Sequence, residues 1–187
     1  MEVRQVDSSK LMAALKANSK ALKETEGSAQ LAIDGDETAL FEELVPWLDA
    51  IRDDDELDGC MPLDGSHVVA VRQLVYGKLL HWPIDVLPPA LDLIRMLVLS
   101  AQWAHGDTSS EDLMRLIEMV IRAACDPGAS TGLRTVAART LVNCLTNDAV
   151  VTVAVGADTT PSGSGYLCRI LDEVIPALDM LSLSKPA

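Results

Sequence analysis

Three arginines recur at almost equal spacing, and an asparagine follows the last of them. Arg52, Arg95 and Arg139 are 43 and 44 residues apart, and Asn143 lies four residues beyond Arg139, one helical turn along the same face. A guanidinium can hold a carboxylate through two hydrogen bonds, and a carboxamide can both donate to and accept from a peptide backbone. These residues are candidates for binding an acidic peptide if the fold brings them to one surface.

A simpler interpretation also fits the first two arginines. Asp49 precedes Arg52 by three residues, and Asp92 precedes Arg95 by the same interval. Such pairs on a helix surface contribute only a few tenths of a kcal/mol each. Arg139 has no acid at this offset.

Cysteine chemistry is a separate possibility. The pairs that could supply a thiolate and a base are Cys60 with His67, and Cys144 with His81 or His105. None lies in a recognisable local signature. Cys144 and Cys125 fall on apolar helix faces, where cysteine is usually a small core residue. We therefore expect no catalytic residue, and a cysteine hydrolase ranks below a binding function.

No pattern typical of a cofactor or metal site occurs in the sequence. There is no glycine-rich phosphate loop, and the histidines lack the i,i+4 pairing of a helical metal site. The acidic run from Asp53 to Asp58 lacks the spaced oxygens and the glycine of an EF-hand loop. We expect neither a cofactor nor a metal.

Charge and composition limit the partners further. The 187 residues are 49% hydrophobic and 3% aromatic, with a net charge of -13. Residues 1–64 carry 16 acids and 6 bases, whereas residues 65–187 carry 12 acids and 9 bases. Few aromatics and a negative charge argue against nucleic acid as a partner. An acidic peptide stays possible only if the arginines converge.

Length and hydropathy predict one domain over residues 1–187 with no membrane span. The richest apolar stretch, Leu87 to Ala104, is interrupted by Asp92, Arg95 and Gln102. The N-terminus lacks the apolar region of a secretory signal. The cysteine spacing indicates reduced thiols, so we expect a cytoplasmic or nuclear protein.

Apolar residues recur at intervals of three and four, which predicts an all-α fold. Helices are expected after Ser8 or Ser9, Asp36, Asp64 or Ser66, and Ser109 or Ser110, from Pro88-Pro89, and over residues 131–147 and 166–183. The second would bury Leu40, Phe41, Leu44, Leu48 and Ile51 in a single helix. Residues 53–65 and 156–165 are expected to be loops, and the β-branched run at 149–155 a helix or an irregular turn. The tryptophans Trp47, Trp82 and Trp103 are expected in the core.

A short motif repeats along this pattern. Proline, leucine and aspartate recur in the heptads that begin at Pro46, Pro89 and Pro176, with offsets of 43 and 87 residues. A period near 43 lies within the roughly 40 to 47 residues of HEAT and armadillo units. Such units stack into a superhelix whose concave groove binds extended peptides. The sequence therefore predicts an armadillo- or HEAT-like α-solenoid.

Two blocks of this sequence resemble the PUL domain, named for the phospholipase A2-activating protein and related ubiquitin-pathway proteins. The first runs from Trp82 to Arg95 and includes Pro89-Ala90-Leu91-Asp92-Leu93-Ile94-Arg95, and the second is Arg139-Thr140-Leu141-Val142-Asn143-Cys144.

The resemblance implies a non-enzymatic adaptor whose armadillo-like groove binds the acidic, tyrosine-containing C-terminal tail of the valosin-containing AAA ATPase. It further implies that Arg95 and Arg139 face the tail's carboxylates and that Asn143 faces its backbone. A general armadillo or HEAT scaffold with another peptide partner is the alternative, and a cysteine hydrolase acting on ubiquitin-like conjugates is a distant third.

Overall fold

A computed structural model of the chain describes residues 7–53, 64–100, 103, 110–147, 150–152 and 175–176. These residues form α-helices and short 3₁₀ turns, and no strand occurs among them, which confirms the all-α prediction. The helices are α1 (Ser8–Glu24), α2 (Gly35–Glu42), α3 (Val45–Asp53), α4 (Gly65–Gly77), α5 (Pro88–Leu97), α6 (Ser110–Cys125) and α7 (Thr131–Leu145).

The first helix begins one residue earlier than predicted. Asp7, rather than Ser8 or Ser9, caps α1 by accepting a hydrogen bond from the backbone N–H of Lys10 at 3.0 Å. Ser8 is already helical and buried, and its hydroxyl donates to Asp49 Oδ1 at 2.6 Å. Because this hydroxyl bonds to α3, it does not cap α1, and the carboxylate of Asp7 caps the helix instead.

The predicted second helix is in fact two helices. Asp34, not Asp36, caps α2, because Glu37 lies three residues later and completes a capping box. Helix α2 ends at Glu42, and α3 begins at Val45 with Pro46 in its first turn. Since Pro46 has no N–H to donate to the carbonyl of Glu42, a continuous helix would lose a backbone hydrogen bond there.

The remaining predicted helix starts agree with the structure wherever it describes them. Asp64 caps α4 and accepts hydrogen bonds from the backbone N–H groups of Ser66 and His67. Pro88 opens α5, and α7 begins after its N-cap Ser130. Residues 150–152 are helical, in line with the non-strand expectation for that run. The loop predicted over 53–65 is shorter than expected, because Asp53 ends α3 and Gly65 begins α4, and residues 54–63 lie outside the described residues. All of 156–165 and most of 166–183 also lie outside them.

One apolar core extends from α1 to α7. It contains the three tryptophans, which confirms their expected burial, and helix α5 is buried on nearly all sides. Arg72 donates to the backbone carbonyl of Trp103 at 2.9 Å and lies over its indole ring. Trp82 closes the core on the N-terminal side, where its indole N–H donates to the carbonyl of Leu31 at 2.9 Å.

Helices α5, α6 and α7 form the part of the fold that carries both family-like blocks. The turn at residues 126–130 joins α6 to α7, and the two helices pack against each other as an antiparallel pair. Helix α7 also packs along α5. Thr140, Asn143 and Asn147 contact the carbonyls of Leu91, Arg95 and Val98 in the same chain order, so α5 and α7 run parallel.

Candidate functional site

Arg95 lies in the last turn of α5 and is almost fully buried, with 1% of its surface exposed. Its guanidinium donates through Nε to Asp92 Oδ1 at 2.8 Å, and Nη2 lies 2.7 Å from the same oxygen. The Asp92 side chain is 28% exposed, so the carboxylate reaches the surface while the arginine stays beneath it. The i,i+3 pair anticipated for this arginine therefore exists, with its cation in the interior.

Asn143 is also buried, at 2% exposure, and its side-chain amide donates to the backbone carbonyl of Arg95 at 2.7 Å. Two further side chains, Thr140 of α7 and Asn147 just beyond its end, also lie against α5. Asn147 donates to the carbonyl of Val98 at 2.8 Å, whereas the Thr140 hydroxyl lies 3.3 Å from the carbonyl of Leu91 and closer, at 2.9 Å, to the carbonyl of Val136 in its own helix. The structure thus brings Asn143 and Arg95 together, but through the backbone of Arg95 and in the interior.

Arg139 differs from these residues because its side chain is exposed. Within the described part of the chain it forms no ion pair. Successive helical residues turn by about 100°, so Arg139 lies beside the stripe that faces α5. Because α5 and α7 run parallel, the flank of α5 with Asp92 and the flank of α7 with Arg139 face the same side. The buried stripe of Leu133, Ala137, Leu141 and Cys144 lies on another side of α7.

We call this surface the Arg139 face: Arg139, Asp92 and the Arg95 guanidinium directly beneath Asp92. It can attract a carboxylate through Arg139, and the exposed edge of Asp92 would repel one placed too close to α5. Arg52 belongs to α3, but its side chain lies outside those described, so its predicted place beside the other arginines stays a prediction.

The sequence analysis missed two arginines that line a separate hollow. Arg115 and Arg122 lie two turns apart on α6, beside a cavity of about 460 Å³ between α4 and α6. Its walls include Tyr76, Leu80 and Met114. Arg115 pairs with Glu111 at 2.5 Å, and Arg122 is exposed. Their spacing of seven residues on one helix face was the available signal.

The described cysteines and histidines do not assemble a catalytic pair. Cys144 is buried in the core, and burial raises the pKa of its thiol to about 12, so it carries no thiolate near neutral pH. His81 is exposed, and His67 Nδ1 lies 2.9 Å from Asp64 Oδ1. Cys60 and His105 lie outside the described residues.

Two further classes of site were sought among the residues that the structure describes. No group of three or more His, Cys, Asp or Glu side chains there is placed to hold a metal ion. None of the described helices combines the length and apolar character needed to cross a membrane.

Comparison with known proteins gives one match. The family model of the PUL domain matches residues 2–182, which is nearly the whole chain. Neither a curated protein nor a solved structure matches the sequence. The matched range includes α5 and α7, and therefore the complete Arg139 face.

Proposed function

Because this chain belongs to the PUL domain family, whose members are protein-interaction domains rather than catalysts, we propose that it is an adaptor for the valosin-containing AAA ATPase. In this proposal the domain binds the acidic C-terminal tail of the ATPase during ubiquitin-dependent protein handling in the cytoplasm or nucleus. The Arg139 face is the binding surface.

The exposure of Arg139 is the observation that carries the proposal. Within the two family-like blocks it is the arginine whose guanidinium is open to solvent, whereas Arg95 is engaged with Asp92 below the surface. An exposed guanidinium can hold a tail carboxylate bidentately, and such charge-assisted hydrogen bonds are about twice as strong as neutral ones. We therefore assign the ligand contact to Arg139 and a supporting place to Arg95.

The packing of α5 and α7 supports an armadillo- or HEAT-like solenoid. In such folds the equivalent helices of neighbouring repeats lie side by side and run parallel. The side-chain hydrogen bonds between α5 and α7 join residues 48 and 49 positions apart, close to one unit of this repeat class. Two such helices side by side would present the Arg139 face as part of a groove.

Calorimetric titration with an acidic, tyrosine-containing peptide tests this function. We expect saturable binding that weakens as salt is added, and a loss of about tenfold in affinity for Arg139→Ala. Arg122→Ala is the matched control, since it removes the same charge from an exposed position on α6. A peptide with its acids replaced by amides should not bind.

Three results would count against the proposal. The wild-type protein could fail to bind the acidic peptide, Arg139→Ala could bind it as tightly as the wild type, or both arginine variants could lose affinity equally.

A general peptide scaffold is the second candidate, and the hollow between α4 and α6 favours it. That hollow joins an apolar floor to Arg115 and Arg122, and Glu111 and Glu118 also line it. A loss of affinity confined to Arg122→Ala in the same titration would support this alternative over the Arg139 face.

A further inference from the structure

Helix α5 ends inside the protein, where its last carbonyls need hydrogen-bond donors. Leu97, Val98 and Ser100 are fully buried at this end. A buried carbonyl without a partner costs free energy, and water cannot supply the donor in a dry interior. Among the described residues, each carbonyl from Ile94 to Val98 has a donor.

The local backbone supplies three of these partners. The N–H of Val98 donates to Ile94, that of Leu99 to Met96, and that of Ser100 to Leu97, at 3.0 to 3.1 Å. Because the N–H of Leu99 goes to Met96, it is not available to the carbonyl of Arg95.

Side chains of α7 and of the residue two beyond its end supply the other two donors. The Asn143 amide donates to the Arg95 carbonyl at 2.7 Å, and the Asn147 amide donates to the Val98 carbonyl at 2.8 Å. One turn before Asn143, the Thr140 hydroxyl lies 3.3 Å from the carbonyl of Leu91 and 2.9 Å from the carbonyl of Val136 in its own helix. We call Thr140, Asn143 and Asn147, with the three carbonyls they contact, the α5–α7 seam.

We infer that Asn143 in α7 and Asn147 just beyond it are positioning residues, which cap the end of α5 and so fix Arg139 relative to α5. This inference rests on the proposed function, since it concerns the same binding face. It divides the block from Arg139 to Asn143 by role: the arginine meets the ligand, and the asparagine binds the neighbouring helix.

The geometry separates these roles clearly. Arg139 precedes Thr140 directly, so a shift of the seam would move the arginine with it. Asn143 has 2% of its surface exposed, and its amide is already committed to α5. Because Asn143 is buried against α5, a ligand backbone could reach it only if the two helices separated, and the separation would leave the Arg95 carbonyl without its donor.

The first test measures thermal unfolding and needs no ligand. Asn143→Leu and Asn147→Leu keep the number and branching of the side-chain heavy atoms but remove the donors, and each should lower Tm by about 3–10 °C. Thr135→Ala is the control, because Thr135 is exposed on the same helix and its hydroxyl donates to the carbonyl of Thr131 within that helix. A wild-type Tm for Asn143→Leu would overturn the inference.

The second test is a double-mutant cycle on binding of the acidic, tyrosine-containing peptide, at a temperature where all variants are folded. Asn143→Leu should weaken binding about fivefold in the wild-type background and less than twofold in the Arg139→Ala background. This non-additivity is the signature of an effect that acts through Arg139.

Two other outcomes of the cycle would contradict the inference. Additive losses would mean that Asn143 contacts the ligand itself, and wild-type affinity for Asn143→Leu would mean that the seam has no part in binding. Either result overturns the positioning role. If the wild-type protein binds no peptide, the proposed function fails, while the Tm measurement still decides whether the seam caps α5.

Discussion

Ser19 offers the sharpest test of whether the acidic N-terminal third folds together with the rest of the chain. Its hydroxyl donates to the carbonyl of Ile33 and accepts from the N–H of the same residue, both at 2.9 Å. Ser19 is 3% exposed and Ile33 is 2% exposed, so water does not reach these groups easily. One side chain therefore satisfies two buried backbone groups in the segment that leads into α2.

The magnitude follows from that geometry. Ser19→Ala would leave a buried N–H and a buried carbonyl without their partner, and each costs about 1–3 kcal/mol. Because the two losses share one site and some relaxation is possible, we expect a total of about 2–4 kcal/mol. For a chain of this size, that corresponds to a fall in Tm of about 5–12 °C.

Urea unfolding followed by both far-ultraviolet circular dichroism and tryptophan fluorescence provides the measurement. The two signals should change together, since α1 also contacts α3 and α5 within the same core. Ser9→Ala is the matched control, because Ser9 is exposed in the first turn of α1 and should have almost no effect.

The reasoning would be refuted by a loss of less than about 0.5 kcal/mol for Ser19→Ala, which is the range of ordinary surface substitutions. Separate midpoints for the two signals would show instead that the N-terminal third unfolds independently. That result would contradict the predicted single domain over residues 1–187.

Two further predictions concern pH. Burial raises the pKa of Cys144 to about 12, so this thiol should resist alkylation until the protein unfolds. The unfolded chain ionises Cys144 first, so its contribution to stability should be lost as pH rises from about 8.5 to about 12, and Cys144→Ala should lack this dependence. The pH dependence that Asp64 contributes to stability has the opposite sign. Its hydrogen bonds from the Ser66 hydroxyl and the His67 N–H lower its pKa to about 2. The stabilisation should be present above about pH 4 and lost as pH falls towards 2, while Asp64→Asn, still a good N-cap, should unfold without that dependence. Unfolding midpoints measured across pH test both predictions. A wild-type curve that matches the curve of Cys144→Ala or of Asp64→Asn would contradict the corresponding prediction.

Helix boundaries were predictable where a local interaction decides them. Asp64, Pro88 and Ser130 act within one helical turn, so their effects can be read from neighbouring residues. The choice of Asp36 over Asp34 was wrong although the signal was present, because Glu37 follows Asp34 at the interval of a capping box. The break before α3 was equally local, since Pro46 cannot donate to Glu42.

The site was less predictable, and Arg139 and Asn143 show why. Residues four apart on a helix differ by about 40° in direction, which is close enough to predict one common face. In the structure that difference separates an exposed arginine from a buried asparagine. The division depends on where α5 lies against α7, and no local pattern in either helix specifies that contact.

The sequence by itself determined the helical class, most helix starts, the burial of the tryptophans and the family to which the chain belongs, because capping, periodicity and short motifs act over a few residues. Only the tertiary structure decided that Arg95 is held below the surface by Asp92 and that Asn143 turns to the end of α5. Those outcomes follow from a hydrogen bond across 48 residues and from the exclusion of water there, which arise only when the two helices pack.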